Sequence, residues 1–347
     1  MTRRRKYPLH PDFDKLPVFN IRFNRVAVGL LNLLIRLTRG LARGRSEIVA
    51  EKAALTRPDG TDCNVLLFRP GDGGGRPALL YYHGGAFALT WGGIHLGNAA
   101  AYARGSGCVT VFVDYRLGPK YPFPHGFNDC YRALEWTVER AGELGIDPQR
   151  IAVAGDSAGG ALAVAVAQKA RDTGLASLCG QMLIYPVIDN ECRTASALEF
   201  VDTPMWTGLS NRRMWEMYLR DYPDELPPYA VPGKGGVRGL PATYIETAEY
   251  DPLRDEAIAF AEALRGRGNA SVVINATQGT VHGYDAVAGS AVVQDSMRQR
   301  IAFLQRVFAR RNDETVPGSG QPQRRAGPGR RPGCNQEEQP HVRDDHQ

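Results

Sequence analysis

The sequence predicts an α/β fold, a mostly parallel central sheet flanked by helices. Two observations lead there. Between residues 78 and 310, short apolar runs of strand length alternate with longer segments of helical periodicity. Such alternation gives a parallel sheet covered on both faces. One junction in it, Ile151-Ala152-Val153-Ala154 followed by Gly155-Asp156-Ser157-Ala158-Gly159 and an Ala/Val-rich run to Arg171, reads as strand, tight turn, helix. The 347 residues, 43% hydrophobic and 23% charged, have ordinary globular composition and leave room for one large domain with additions.

The elements follow in order. Residues 1–20 are polar and contain prolines, as an extended lead-in would. Residues 21–43 read as a helix on which Arg22, Arg25, Asn32, Arg36, Arg39 and Arg43 share one narrow arc, with leucines, Phe23, Val26 and Ile35 over the rest. The plainer expectation is a surface helix that packs its wide apolar face on the domain. The sharper one is a basic amphipathic helix that touches an anionic membrane or lipid interface. Segments 47–57 and 62–69 form an antiparallel hairpin around Asp59-Gly60, and 71–75 is a glycine-rich turn. Strands follow at 78–82 and 109–114, with a helix at 95–105 between them. Asp129 is placed to cap a helix over 130–143. After the strand–turn–helix junction at 151–171 come a strand at 181–185 and an interruption at 190–235 rich in prolines and aromatics such as Trp206, Trp215 and Tyr218. Alternation resumes with strand 242–247, helix 255–266, strand 271–276 and helix 290–310. Residues 312–347 lack periodicity and apolar content, the pattern of a disordered tail.

Net charge is +5, with the basic residues concentrated at the two ends, and acidic residues dilute the arginine pairs of the tail, so no nucleic-acid partner is expected. Six cysteines without C-x-x-C spacing argue against a zinc site or a disulfide framework and fit a reducing, cytoplasmic compartment. The basic N-terminus is not followed by the apolar stretch of a secretory signal, and no run has the length and apolarity of a bilayer span.

The pentad around Ser157 is a G-x-S-x-G nucleophile elbow in the required strand–turn–helix context. A turn this sharp lifts the serine Oγ off the backbone and leaves room only for small neighbours, hence Gly155, Ala158 and Gly159. A serine hydroxyl needs a base to take its proton. On this kind of sheet the chain order is serine, acid, histidine. His282 is the only histidine after Ser157 that lies outside the tail, and it sits in a loop between a strand and the last helix. The acid best placed to orient it is Asp251, at the end of the strand 244–248; Asp255 competes, although it opens a helix, and Asp189 ranks third. The oxyanion of an acyl-transfer intermediate needs backbone N–H donors. Ala158 supplies one, and the loop Tyr82-His83-Gly84-Gly85-Ala86-Phe87, after the strand 78–82, supplies the others.

Five blocks in this order resemble the hormone-sensitive-lipase family of α/β-hydrolases. They are His83-Gly84-Gly85-Ala86-Phe87, the run from Asp114 to Pro124, Gly155-Asp156-Ser157-Ala158-Gly159-Gly160, Asp251-Pro252-Leu253-Arg254-Asp255 and His282-Gly283. The resemblance covers about residues 45 to 310. It implies Ser157, Asp251 and His282 as the triad, and Gly84, Gly85, Ala86 and Ala158 around the oxyanion hole. It also implies a helical cap on the α/β-hydrolase fold, built from an N-terminal segment (1–45) and the insertion 190–235 within a hydrolase domain spanning 46–311. Three positions depart from the family pattern: Ala86 stands for its third glycine, Lys120 for an acidic residue, and Tyr284 where phenylalanine is common.

The expected activity is hydrolysis of short- to medium-chain carboxylic esters through an acyl-enzyme on Ser157, with a small-molecule substrate and neither metal nor cofactor. Activity should fall at acid pH, because only neutral His282 can act as the base. The alternatives are an amide, carbamate or formamide substrate for the same triad, and a ligand-binding protein on this fold. Oligomeric state and the physiological ester are open from sequence.

Overall fold

A computed structural model describes residues 6–38, 50–71, 73–269 and 271–309. Eight strands form one sheet: β1 (Ala50–Thr56), β2 (Asp62–Phe68), β3 (Arg76–Tyr82), β4 (Val109–Asp114), β5 (Ile146–Asp156), β6 (Gly180–Ile184), β7 (Ala242–Tyr250) and β8 (Val272–Val281). Their order is β1-β2-β4-β3-β5-β6-β7-β8. The β1–β2 and β2–β4 pairs are antiparallel and all others parallel, as the hairpin and the alternation require.

Helices cover both faces because successive strand residues point to opposite sides. On one side Leu79, Tyr81, Phe112, Ala154 and Met182 pack with α2 (Gly93–Ser106) and α8 (Ala291–Ala309). On the other, Leu80, Tyr82, Val111, Val153 and Leu183 pack with α3 (His125–Glu139), α4 (Ala158–Thr173) and α7 (Arg254–Gly266). The central strands read as continuous apolar runs for this reason.

The insertion 190–235 holds two short helices, α5 (Ala195–Glu199) and α6 (Gly208–Tyr218). The N-terminal segment packs along it. Tyr7 Oη donates to Asp202 at 2.6 Å, Met205 N–H to the Pro17 carbonyl at 2.7 Å, and the Phe23 ring meets Trp206 edge-on.

Three expectations need correction. Asp129 is not a helix cap: α3 begins at His125, one turn earlier, and Asp129 lies buried inside it. Its carboxylate takes bidentate bonds from both Arg57 and Arg116, which tie the hairpin and the end of β4 to α3. The N-terminal helix, α1 (Arg25–Thr38), starts four residues later than expected, and 39–43 fall outside the described residues, as does the expected tail 312–347. Nor does its wide apolar face pack on the domain, since Val28 is its only buried residue.

Next to the edge strand β8, Arg300 of α8 is fully buried against Glu246 of β7 and Asp285 of the turn after His282. Tyr284 Oη adds a 2.5 Å bond to Glu246. Burial pushes Glu246 up, but the Arg300 guanidinium and the tyrosine hydroxyls hold its carboxyl below the ordinary value. The network locks the last helix to the segment that carries His282.

Candidate active site

Ser157 sits between β5 and α4 with φ +55° and ψ −120°, a backbone state that L residues rarely adopt. Its neighbours explain how the turn closes. A Cβ at Gly155 would overlap the Gly159 carbonyl, and a Cβ at Gly159 would overlap the Tyr82 carbonyl of the adjacent strand. The turn is pinned by Ser157 N–H to the Ile184 carbonyl at 2.9 Å and Val187 N–H to the Ser157 carbonyl at 3.1 Å. The strain is thus held by β-sheet neighbours on both sides.

The structure brings together the three side chains singled out from sequence. His282 Nε2 lies 2.8 Å from Ser157 Oγ, and Nδ1 lies 2.8 Å from Asp251 Oδ2. All three are buried, Asp251 completely. An ionised carboxylate only accepts, so Nδ1 of the neutral ring carries the proton and Nε2 is left to accept from the serine hydroxyl. Asp251 Oδ1 is fixed by Leu253 N–H at 2.9 Å. The imidazole rests between the rings of Tyr185 (4.8 Å) and Trp206 (5.8 Å). These contacts leave the histidine one working orientation.

The competing acids do other work. Asp255 is not an N-cap, a position held by Leu253; it accepts from Ser196 N–H at 2.8 Å and pairs with Arg254, anchoring α5. Asp189 accepts from Glu191 N–H within its own turn. Glu256 receives the N–H groups of Ile188 and Asp189, and burial pushes its carboxyl well above the usual range.

In the glycine loop, the Gly84 N–H is spent on Asp156 Oδ2 at 3.0 Å. Gly84 therefore frames the loop without offering its amide, and the expected donor set narrows to Gly85, Ala86 and Ala158. Ala158 opens α4, where first-turn N–H groups lack helical partners. Gly85, Ala86 and Phe87 all have positive φ, at +118°, +56° and +56°. Ala86 and Phe87 thus occupy the left-handed region at a steric cost of roughly 1–2 kcal/mol each.

Sequence reasoning missed the residues that brace this loop. Tyr115 Oη donates to the His83 carbonyl at 2.6 Å and its ring stacks on His83. Gly118 N–H donates to the Phe87 carbonyl at 2.7 Å. Asp156 also accepts from Tyr81 Oη at 2.7 Å and faces His95 Nε2 at 3.4 Å. Burial pushes Asp156 up, but His95, Tyr81 and His83 together hold it below the ordinary value, so it stays an anion between the elbow and the loop. Asn32 of α1 spans the loop's far end, with Nδ2 to the Ala88 carbonyl at 3.0 Å and Oδ1 from Thr90 N–H at 2.8 Å. Tyr115 and Gly118 lie in the block from Asp114 to Pro124, so its position after a strand was the available signal. Lys120, in the same block, lies over the Tyr121 ring at 4.8 Å, a local cation–π contact.

An open-ended α/β sheet with a strained serine, a buried histidine and a buried aspartate at its strand ends defines the class: a hydrolase-type α/β protein. The family described as alpha/beta hydrolase fold matches residues 79–286. The chain belongs to this family, in its hormone-sensitive-lipase-like branch. It is 42% identical over 212 residues to the carboxylesterase NlhH of Mycobacterium tuberculosis, a match covering 60% of this chain and 66% of that protein. It is 33% identical over 262 residues to an ethyl acetate hydrolase of Pseudomonas putida, covering 72% of this chain and 82% of that one. Among solved structures, the esterase LipW of Mycobacterium marinum superposes with a TM-score of 0.81 at 31% identity, covering 87% of this chain and 96% of LipW.

Proposed function

We propose that this chain is a serine carboxylesterase acting on short- to medium-chain esters. The observation that carries the reading is the unbroken Asp251–His282–Ser157 chain, with both links at 2.8 Å, on the strand ends of β5, β7 and β8. Ser157 Oγ attacks the ester carbonyl as His282 Nε2 takes its proton. The N–H groups of Gly85, Ala86 and Ala158 receive the oxyanion, and Asp251 stabilises the imidazolium. His282 then returns the proton to the departing alcohol. In the second half, His282 Nε2 takes a proton from a water that attacks the acyl-Ser157 carbonyl, then gives it to Ser157 Oγ as the acyl–oxygen bond breaks and the acid is released.

The apolar surroundings support an acyl or alcohol group of modest size. Phe87 stacks on Tyr218 at 3.7 Å and meets Trp215 at 6.0 Å, while Trp206 covers His282. The inward side of residues 6–38, together with the insertion 190–235, acts as the cap over these groups. The five described cysteines are free thiols, which supports a reducing compartment such as the cytoplasm. Among the described residues no helix is long and apolar enough to cross a membrane. Any lipid contact is therefore proposed as peripheral, through α1.

The test is turnover of p-nitrophenyl esters of graded acyl length by wild type and Ser157→Ala, with fluorophosphonate labelling of both. Wild-type turnover and labelling, both abolished by the substitution, is the expected result. Comparable turnover by the two proteins would sink the mechanism. Matched ester and amide substrates then decide the leaving group, with the ester expected to be faster.

A further inference from the structure

Helix α1 has two apolar faces, and only one is used. Val28, buried, with Leu31, Asn32 and Ile35, half-buried, look inward. On the opposite side Val26, Leu30, Leu33, Leu34 and Leu37 are 73, 64, 54, 57 and 70% exposed. On a helix of 3.6 residues per turn these five fall within about 100° of one another. A contiguous face of this kind, several hundred Å² in order of magnitude, is the size at which exposed apolar surface marks an interaction site.

The charges beside the face say what covers it. Arg22, Arg25 and Arg36 are exposed, and residues 21–38 contain no Asp or Glu. Arg25 and Arg36 border the leucines along one flank. A second copy of the chain meeting this face antiparallel about a two-fold axis would set arginines against arginines. A surface of anionic headgroups over an apolar interior complements both halves of the pattern. The helix is also fixed to the catalytic loop. Asn32 bridges Ala88 and Thr90, a few residues beyond the oxyanion donors, and Phe23 reaches Trp206, which covers His282.

We propose that the outer face of α1 docks the protein on anionic lipid surfaces and so holds Ser157 close to esters dissolved there. The proposal rests on the esterase reading for its substrate, but the docking itself needs no catalysis. It differs from the simple expectation of a basic helix. The apolar contact is made by residues the domain leaves bare, while the inward face is already occupied.

The experiment is co-sedimentation of the full chain with vesicles of phosphatidylcholine alone and of phosphatidylcholine with phosphatidylglycerol. Hydrolysis of a soluble p-nitrophenyl ester is followed in parallel. Wild type should bind the anionic vesicles at least tenfold more tightly, with affinity falling as salt rises. Arg22→Gln/Arg25→Gln/Arg36→Gln should weaken that binding by about fivefold per charge, roughly a hundredfold in all. Leu30→Ser/Leu33→Ser/Leu37→Ser should abolish it, and both variants should keep soluble-ester turnover within twofold of wild type. No vesicle binding by an active wild type overturns the proposal, as does equal binding to both vesicle types. So does a wild-type dimer in sedimentation velocity that the serine variant dissociates, because the face would then be a self-interface. Vesicle binding without any ester turnover would count against the esterase reading alone.

Discussion

The carboxyl edge of the sheet and the N-terminal helix treat their side chains in opposite ways. At the edge, Ser157, Asp251 and His282 are buried and fastened on every side, by β-strand neighbours, a backbone amide and two aromatic rings. In α1, fourteen residues contribute one buried side chain, and among the described residues its side-chain hydrogen bonds to the rest of the protein come from Asn32. Chemistry needs atoms held within a fraction of an ångström, so it sits where the core does the holding. Surface recognition tolerates looser attachment, and the bare leucines lie where a change costs the fold little.

The sharpest way to break this comparison is at the acid. Asp251→Asn keeps the shape but presents an amide to Nδ1, which favours the wrong imidazole tautomer. We expect kcat to fall by about 10⁴-fold with melting temperature nearly unchanged. Asp255→Asn, which alters only an anchor of α5, should change kcat less than threefold. Equal losses in the two variants would show that Asp251 acts through structure alone.

The next largest effect is on stability. Arg300→Leu strands Glu246 and Asp285 in the core, and removing one partner of a buried ion cluster costs about 3–5 kcal/mol. Urea melts at neutral pH read this directly. The sign of the acid response follows from the depressed carboxylates. Glu246 and Asp156 both titrate below their ordinary values in the fold. They therefore contribute stability above the unfolded carboxylate range near pH 4, and lose it as pH falls through the lower folded values. The wild-type melting temperature should drop below about pH 4, and Arg300→Leu should flatten that drop. An unchanged acid limb in the variant would contradict the assignment.

Asn32→Ala tests the attachment of the loose region. It removes two hydrogen bonds to the loop after the proposed oxyanion donors, each with a net value of about 1 kcal/mol. The expected outcome is a several-fold loss in kcat/KM, with the Ser157–fluorophosphonate reaction slowed in parallel. An unaltered rate would mean that α1 is not coupled to the loop.

Much of this was legible in the sequence because the signals are local. Strand-length apolar runs place the parallel strands, and the elbow is one contiguous strand–turn–helix. His282 followed by elimination. What escaped were contacts between distant positions: Asn32 to Ala88, Gly84 to Asp156, Glu246 to Arg300. Asp129 resembles a cap in the sequence because a carboxylate before a helical run satisfies that rule; its arginine partners lie 72 and 13 residues away. For α1, periodicity reveals a face but not which face meets the domain. With apolar residues over most of its circumference, the helix had two candidates, and tertiary packing chose the smaller.

The smallest expected effect lies where this chain departs from its family's pattern. Ala86 holds φ +56° beside Gly85 at +118° and Phe87 at +56°. An alanine in that region is strained, whereas glycine enters it freely, at the expense of greater freedom in the unfolded chain. Restoring the glycine with Ala86→Gly should stabilise the protein by about 0.5–1 kcal/mol, read as a rise of roughly 1–4 °C in melting temperature. The N–H remains, so kcat/KM should stay within twofold. A loss of stability would mean that the Ala86 methyl, which is buried, contributes more through packing than the turn loses through strain. A stable variant with kcat lowered tenfold would instead show that this strain serves to aim the donors at the oxyanion.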